Sequence, residues 1–165
     1  VLNLFAYTGG ATLAAAAAGA QVTHVDASKG MVTWAKENAV SSGLGDAPIR
    51  WLVDDCVKFV EREIRRGNTY DAIIMDPPSY GRGPKGEIWK IEDMIHPLIK
   101  LCTKILSKDA LFFLVNSYTT GLAPAVLTYM ISTELKPWNG HVDSQEIGLP
   151  VTCLLYTSPS PRDCS

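Results

Sequence analysis

The chain has few cysteines and histidines, and neither type is grouped. Cys56, Cys102, Cys153 and Cys164 form no C-x-x-C pair, and His24, His96 and His141 are scattered. The spacing therefore suggests neither a zinc site nor a disulfide framework, and no metal is expected. Cys102 reads as a small buried hydrophobe. Charge of neither sign dominates: 15 basic residues stand against 17 acidic ones, a net charge of −2. That balance does not fit a domain that holds nucleic acid by global charge, so any such binding has to be local or supplied by another segment. Long hydrophobic runs are missing too. The alanine run Ala14 to Ala18 is short and bounded by glycines, well under the roughly 20 residues of a membrane span. No basic leader precedes an apolar region, so a cytoplasmic protein without a membrane partner is expected. The turn Gly9-Gly10 is not G-x-G-x-x-G, which argues against a dinucleotide fingerprint and a nicotinamide-dependent oxidoreductase.

The chain does have apolar content, 47% over 165 residues, enough for one domain with a substantial core. Short branched or aromatic runs at Val1 to Phe5, Val22 to Val25, Ile49 to Val53, Ala72 to Met75 and Leu111 to Val115 read as buried strands. Helical patterns lie between and after them, at Ala11 to Ala18, Met31 to Ser41, Val57 to Arg66, Glu92 to Leu106 and Pro124 to Thr133. Ser28 suits an N-cap and Pro124 a first helical turn. Pro97 inside the fourth helical pattern predicts a kink there or a later start. This alternation predicts an α/β fold, a Rossmann-like doubly wound, mostly parallel sheet with helices on both faces. Gly140 to Thr152 reads as a late edge strand or hairpin. The chain opens inside its first strand, so the fold is expected to be truncated at both ends. The domain is expected over residues 1–152, with 153–165 a non-native, disordered Ser/Pro-containing tail resembling translated adapter sequence.

Asp76-Pro77-Pro78-Ser79-Tyr80 follows the apolar run ending at Met75. Proline lacks an N–H and fixes φ, so the pair ends a strand sharply and leaves carbonyls free to accept from a ligand amine. Asp76 adds a carboxylate at the same rim. Three further strand ends carry chemistry. Gly9 and Gly10 let backbone approach a ligand at a helix N-terminus, where free N–H groups suit a carboxylate or phosphate. Asp26 follows Gly9 by 17 residues, near the offset of about 20 at which an acid reaches ribose hydroxyls. Asp54-Asp55 closes the third strand, where a carboxylate can accept from an adenine amine while the N–H of Cys56 faces a ring nitrogen. Each acid alone is more commonly a solvated strand end. Together at one carboxyl edge they point to an adenosine with a charged chain.

From Val1 to about Thr152 the chain resembles class I S-adenosylmethionine-dependent methyltransferases, and within them bacterial 23S ribosomal RNA methyltransferases. The resemblance is carried by Asn3-Leu4-Phe5-Ala6-Tyr7-Thr8-Gly9-Gly10, His24-Val25-Asp26-Ala27-Ser28, Asp54-Asp55 and Asp76-Pro77-Pro78-Ser79-Tyr80-Gly81. It implies S-adenosylmethionine as cofactor. The methionine moiety is expected at the turn of Phe5, Tyr7, Thr8, Gly9 and Gly10, the ribose at Asp26 with Ala27 and Ser28, and the adenine at Asp54, Asp55 and Cys56. Asp76, Pro77, Pro78 and Tyr80 are expected to face the target, an RNA base, with large-subunit ribosomal RNA as partner. An upstream RNA-binding domain, as relatives carry, would account for the lack of basic charge here.

Methyl transfer from a sulfonium is an in-line displacement that needs alignment and exclusion of water. Asp76 and the Pro77 carbonyl can accept the hydrogens of a base amine, and Tyr80 can stack on an extruded base. The basic stretch Gly81-Arg82-Gly83-Pro84-Lys85-Gly86 with Trp89-Lys90 reads as a flexible loop suited to phosphate. Cytosine carbon-5 methylation requires a thiolate. Asn116-Ser117-Tyr118-Thr119, where some relatives carry that cysteine, has none. The order Ser79 then Tyr80 also departs from amine-directed relatives, which put the aromatic first, so a ring nitrogen stays open as target. A protein or small-molecule methyltransferase and an inactive cofactor-binding remnant stand as alternatives. Trp34, Trp51 and His24 read as packing residues, and Arg62, Arg65 and Arg66 as a solvated helix end.

Overall fold

A computed structural model describes residues 1–83, 86–119 and 121–147. Five parallel strands, β1 (Leu2–Leu4), β2 (Val22–Asp26), β3 (Ile49–Val53), β4 (Ala72–Met75) and β7 (Phe112–Val115), form one sheet in the order β3-β2-β1-β4-β7. Helices α1 (Gly10–Ala17), α2 (Lys29–Ser41), α3 (Cys56–Arg66), α4 (Ile91–Thr103) and α5 (Pro124–Glu134) connect or follow them. The order reverses direction after β3, between β1 and β4, which is where open α/β sheets place ligands beyond their carboxyl ends.

Side-chain alternation in the central strands sorts two faces. Leu2, Leu4, Val25, Ile73 and Met75 join one apolar cluster with Phe59 and Val60 of α3 and Ile95, Leu98 and Ile99 of α4. Each fully buried large side chain there stabilises the fold by roughly 2 kcal/mol. The residues between them face the other way. Asn3 Nδ2 donates to Thr12 Oγ1 at 2.9 Å, and Thr12 Oγ1 lies 2.9 Å from His24 Nδ1, which joins β1, α1 and β2 in one buried polar chain. Asn3, Thr12 and His24 are all buried, and His24 also packs on Trp51 with ring centroids 4.8 Å apart.

Ser28 caps α2, accepting from Met31 N at 3.4 Å, and Pro124 opens α5 as its sequence position predicts. At its other end α3 is anchored by Glu63, whose fully buried carboxylate accepts from Tyr70, Asn68 and Arg66 at 2.7, 2.8 and 2.9 Å. Burial pushes this carboxyl's pKa up, and the three hydrogen bonds outweigh burial and hold it below its ordinary value. Arg66 thus serves that anchor, and Arg62 pairs with Asp54.

Four expectations need correction. Helix α4 begins at Ile91 and continues past Pro97 to Thr103, so the later start is excluded. Pro97 is exposed, so the carbonyl it leaves without a helical donor faces water. Residues 140–147 form neither strand nor hairpin and are nearly all exposed; the expected element's remaining residues, and the expected tail, lie outside the described residues. Trp34 is 49% exposed and is no packing residue. The basic stretch after Tyr80 is a two-stranded antiparallel hairpin, β5 (Tyr80–Arg82) with β6 (Ile88–Lys90), Pro84 and Lys85 being outside the described residues.

Candidate active site

The turn after β1 is held by its neighbours. Phe5, Tyr7 and Gly9 have φ of 53°, 49° and 89°, left-handed values that favour glycine, so the two aromatic residues need external support. Phe5 N donates to Cys56 Sγ at 3.3 Å, Ala6 N to Val25 O at 3.1 Å and Tyr7 N to Asp26 Oδ2 at 2.9 Å. Asn38 Nδ2 donates to Thr8 O at 2.9 Å. A Cβ on Gly9 would meet Ala35 Cβ at 3.1 Å, so glycine is required there both for its φ and for the approach of α2. The first N–H groups of α1 have no acceptor inside the helix. They open on a cavity of about 260 Å³ lined by Asn3, Phe5 to Ala11, Ile74 and Asp76.

Asp26 ends β2 beside that turn. Its Oδ1 accepts from Ser28 N at 2.8 Å and its Oδ2 from Tyr7 N. Each carboxylate oxygen has a second lone pair for a hydroxyl hydrogen. Asp54 N donates to Asp26 O at 2.9 Å and brings the end of β3 alongside. Asp54 itself is engaged, with Oδ1 accepting from Asp55 N and Oδ2 paired with Arg62. Asp55 caps α3 through Oδ1, 2.9 Å from Lys58 N. Among the described residues its Oδ2 accepts no hydrogen bond, and the N–H of Cys56 at the first position of α3 has no helical acceptor. The pair Asp55 Oδ2 and Cys56 N–H can therefore accept from an amine and donate to a ring nitrogen.

Across the sheet, Asp76 N donates to Leu4 O at 3.4 Å, and Asp76 Oδ1 accepts from Asn116 Nδ2 at 2.9 Å. Trp89 Nε1 donates to Pro78 O at 2.7 Å, Ile91 N to Ser79 O at 3.1 Å, and Ser79 Oγ lies 2.8 Å from Thr119 Oγ1. A complete accounting of this loop matters because its two prolines bring no donors. Among the described residues, Asp76 Oδ2 and the Pro77 carbonyl have no hydrogen-bond partner. Asp76 is exposed and Pro77 is buried, so the carboxylate is the acceptor on the open side of the segment.

Trp89 is not a phosphate contact as the sequence suggested. It is 7% exposed and packs on Phe5 with ring centroids 4.8 Å apart, joining the loop of residues 76–80 to the turn after β1. The hairpin's other tie is the ion pair of Lys58 with Glu87, beside Asp55. Tyr80 stands on β5 and is 53% exposed. Cys56 and Cys102 are both buried, and burial pushes each thiol's pKa well up, away from a reactive thiolate. The sequence alone assigns Asn116 and Thr119 no positive role in the site and Trp89 a different one. Strand register was the available signal for Asn116, which directly follows the Met75↔Val115 pair as Asp76 does.

A larger groove of about 1000 Å³ runs along β7 and α5 to Ile147. It includes Asn116 and Ser117 but none of Gly9, Asp26, Asp55 or Asp76; the smaller cavity joins the turn Phe5 to Gly10 with Asp76, and Asp26 and Asp55 lie outside both linings. No metal-ligand cluster occurs among the described residues. No helix among them is long and apolar enough to cross a membrane.

The fold and the residues at its carboxyl edge define a nucleoside-cofactor enzyme in which an acidic, proline-stiffened loop and the turn after β1 border one cavity. Residues 1–131 match the S-adenosylmethionine-dependent methyltransferase family, and the chain belongs to it. It is similar to "Ribosomal RNA large subunit methyltransferase K/L" of Shewanella frigidimarina, 37% identical over 107 residues, 61% of this chain and 15% of that protein. It is also similar to "Ribosomal RNA large subunit methyltransferase K" of Neisseria meningitidis, 32% identical over 118 residues, 70% of this chain and 33% of that protein. Among solved structures, a methyltransferase from Agrobacterium tumefaciens superposes with a TM-score of 0.79 at 48% identity, covering 81% of this chain and 43% of that one. The methyltransferase SMU.776, complexed with SAH, gives 0.73 at 29% identity over 81% of this chain and 35% of that one. The chain thus spans less than half the length of each of these relatives.

Proposed function

We propose that this chain is the catalytic part of an S-adenosylmethionine-dependent methyltransferase that modifies a base of RNA, with large-subunit ribosomal RNA as substrate. The observation that carries the reading is the cavity bounded at once by the turn Phe5 to Gly10 and by Asp76. The names of the curated relatives support the choice of ribosomal RNA. The residues fit the cofactor. The free N–H groups at the start of α1 suit its carboxylate, Asp26 its ribose hydroxyls, and Asp55 Oδ2 with Cys56 N–H its adenine. When bound, the cofactor supplies an electrophilic methyl group on a sulfonium.

The chain's own task is alignment. Asp76 Oδ2 and the Pro77 carbonyl accept the two hydrogens of a base amine, which localises the nitrogen lone pair toward the methyl carbon. The amine proton freed by bond formation has Asp76 as its nearest carboxylate acceptor in that arrangement. Tyr80, exposed on β5, offers a ring face to an extruded base. Phosphate affinity comes chiefly from an upstream RNA-binding domain, since the net charge here is −2. A cytoplasmic location follows from that substrate.

Calorimetric titration of S-adenosylhomocysteine, with Asp26→Ala as control, tests the cofactor half of the reading. Transfer of a labelled methyl group to deproteinised large-subunit ribosomal RNA tests the other half. Binding that Asp26→Ala weakens at least about tenfold, together with RNA labelling, is expected. A chain that labels ribosomal protein or a small molecule in preference to RNA would overturn the substrate, and one that binds no cofactor would overturn the whole assignment.

A further inference from the structure

We propose that Asn116, at the end of β7, is a positioning residue that aims the Asp76 carboxylate at the methyl-transfer point. The inference rests on the function proposed above and adds a residue to it. Asp76 and Asn116 are the first residues beyond the paired ends of β4 and β7, and Asn116 N donates to Met75 O at 2.9 Å, which fixes the backbone of one against the other. From that fixed base Asn116 Nδ2 donates to Asp76 Oδ1 at 2.9 Å.

A carboxylate rotates freely about its terminal bond unless one oxygen is held. Holding Oδ1 leaves Oδ2 as the outward acceptor, on a residue that also lines the cofactor cavity. Asparagine suits the task for a chemical reason. Its amide donates without adding charge, whereas a lysine or arginine there would form an ion pair with Asp76 and compete with an incoming amine. The same β7 tail makes a second contact with the loop, Thr119 Oγ1 to Ser79 Oγ at 2.8 Å. The hydroxyl at Ser79, where amine-directed relatives carry an aromatic ring, thus serves as a brace. The target loop is held from β7 on one side and from Trp89 on the other.

The test uses two cofactor analogues on the whole chain, S-adenosylhomocysteine and sinefungin, in which an amine-bearing carbon replaces the sulfonium and its methyl group. Only sinefungin presents N–H groups at the transfer point, so the ratio of the two affinities reports whether an acceptor is aimed there. The wild type is expected to favour sinefungin by about tenfold, the effect of one charge-assisted hydrogen bond. Asn116→Ala is expected to remove most of that preference while S-adenosylhomocysteine affinity and the circular dichroism spectrum stay unchanged. In an Asp76→Ala background, adding Asn116→Ala is expected to change the ratio no further, because Asn116 acts through Asp76. Asn116→Leu, which loses the donor without adding charge, is expected to behave like the alanine variant.

A preference for sinefungin that survives Asn116→Ala would overturn the proposal. So would an equal loss of affinity for both ligands, which marks a structural residue, or a wild type that binds both alike. Failure of the wild type to bind either ligand would instead strike at the cofactor assignment from which the inference starts.

Discussion

Thr12 Oγ1 lies 2.9 Å from His24 Nδ1 while it accepts from Asn3 Nδ2, which ties the buried histidine to β1 and α1. The hydroxyl has one proton and a second lone pair, so it can pair with Nδ1 in either neutral tautomer. Among the described residues Nε2 has no hydrogen-bond partner. Burial lowers the His24 pKa to about 4, and the ring stays neutral beneath the cofactor turn. An unfolded histidine titrates near 6.5. Below that pH the unfolded chain takes a proton that the folded chain refuses until about 4. Stability from this site is therefore complete above about 6.5 and falls as the pH drops toward 4, by up to roughly 3 kcal/mol. Urea unfolding between about pH 7 and about pH 5 should show this slope in the wild type and a smaller one in His24→Gln.

The two turn glycines should separate stability from binding. Gly9→Ala places a Cβ 3.1 Å from Ala35 Cβ at a φ of +89°, and a loss of about 2 kcal/mol in unfolding free energy is expected. Gly10→Ala meets nothing within 4 Å and should leave stability within about 0.5 kcal/mol. It adds a methyl group to the cavity wall, so affinity for S-adenosylhomocysteine should fall instead. Equal effects of both substitutions on both measurements would contradict the geometry.

Asp76→Ala should lower methyl transfer to RNA by at least about a hundredfold. Its effect on S-adenosylhomocysteine affinity should stay within about threefold. Parallel loss of both would reassign the carboxylate to holding the fold.

The buried thiols lead to the opposite expectation. Cys56→Ser and Cys102→Ser should each retain transfer within about threefold, at a stability cost of about 1 kcal/mol from burying a hydroxyl. Denaturing electrophoresis should reveal no covalent complex with RNA. An adduct through either cysteine would establish a carbon-5 chemistry that their burial opposes.

Elements with strong periodicity were legible in the sequence. All five strands of the main sheet and its five helices fall where short branched runs and helical patterns alternate; β1, β2 and β4 are buried on both faces, and the edge strands β3 and β7 keep the same apolar runs while only partly covered. The β5–β6 hairpin was not legible. Its strands are three residues each and flank a Gly/Pro-rich turn, and two of its fixing contacts, from Phe5 and Lys58, are remote in sequence. Pro97 misled for a related reason, since exposure rather than residue type decides what its missing N–H costs. In the candidate site, sequence pointed to the acids at strand ends but could not divide their oxygens. Asp54 faces Arg62, Asp55 caps α3, and Asp76 shares an oxygen with Asn116. Such partnerships depend on which strands are neighbours, and only the fold supplies that.

The left-handed backbone at Phe5 and Tyr7 bears on how the turn can drift over generations. A non-glycine residue in that region raises the folded state by roughly 1–3 kcal/mol, so glycine at either place would relieve it. Tyr7 is 60% exposed and contributes little to the core. Lineages selected for heat resistance alone would accumulate glycine at this position. Persistence of the ring across natural variants would then be a record of selection on ligand or substrate, readable without any assay.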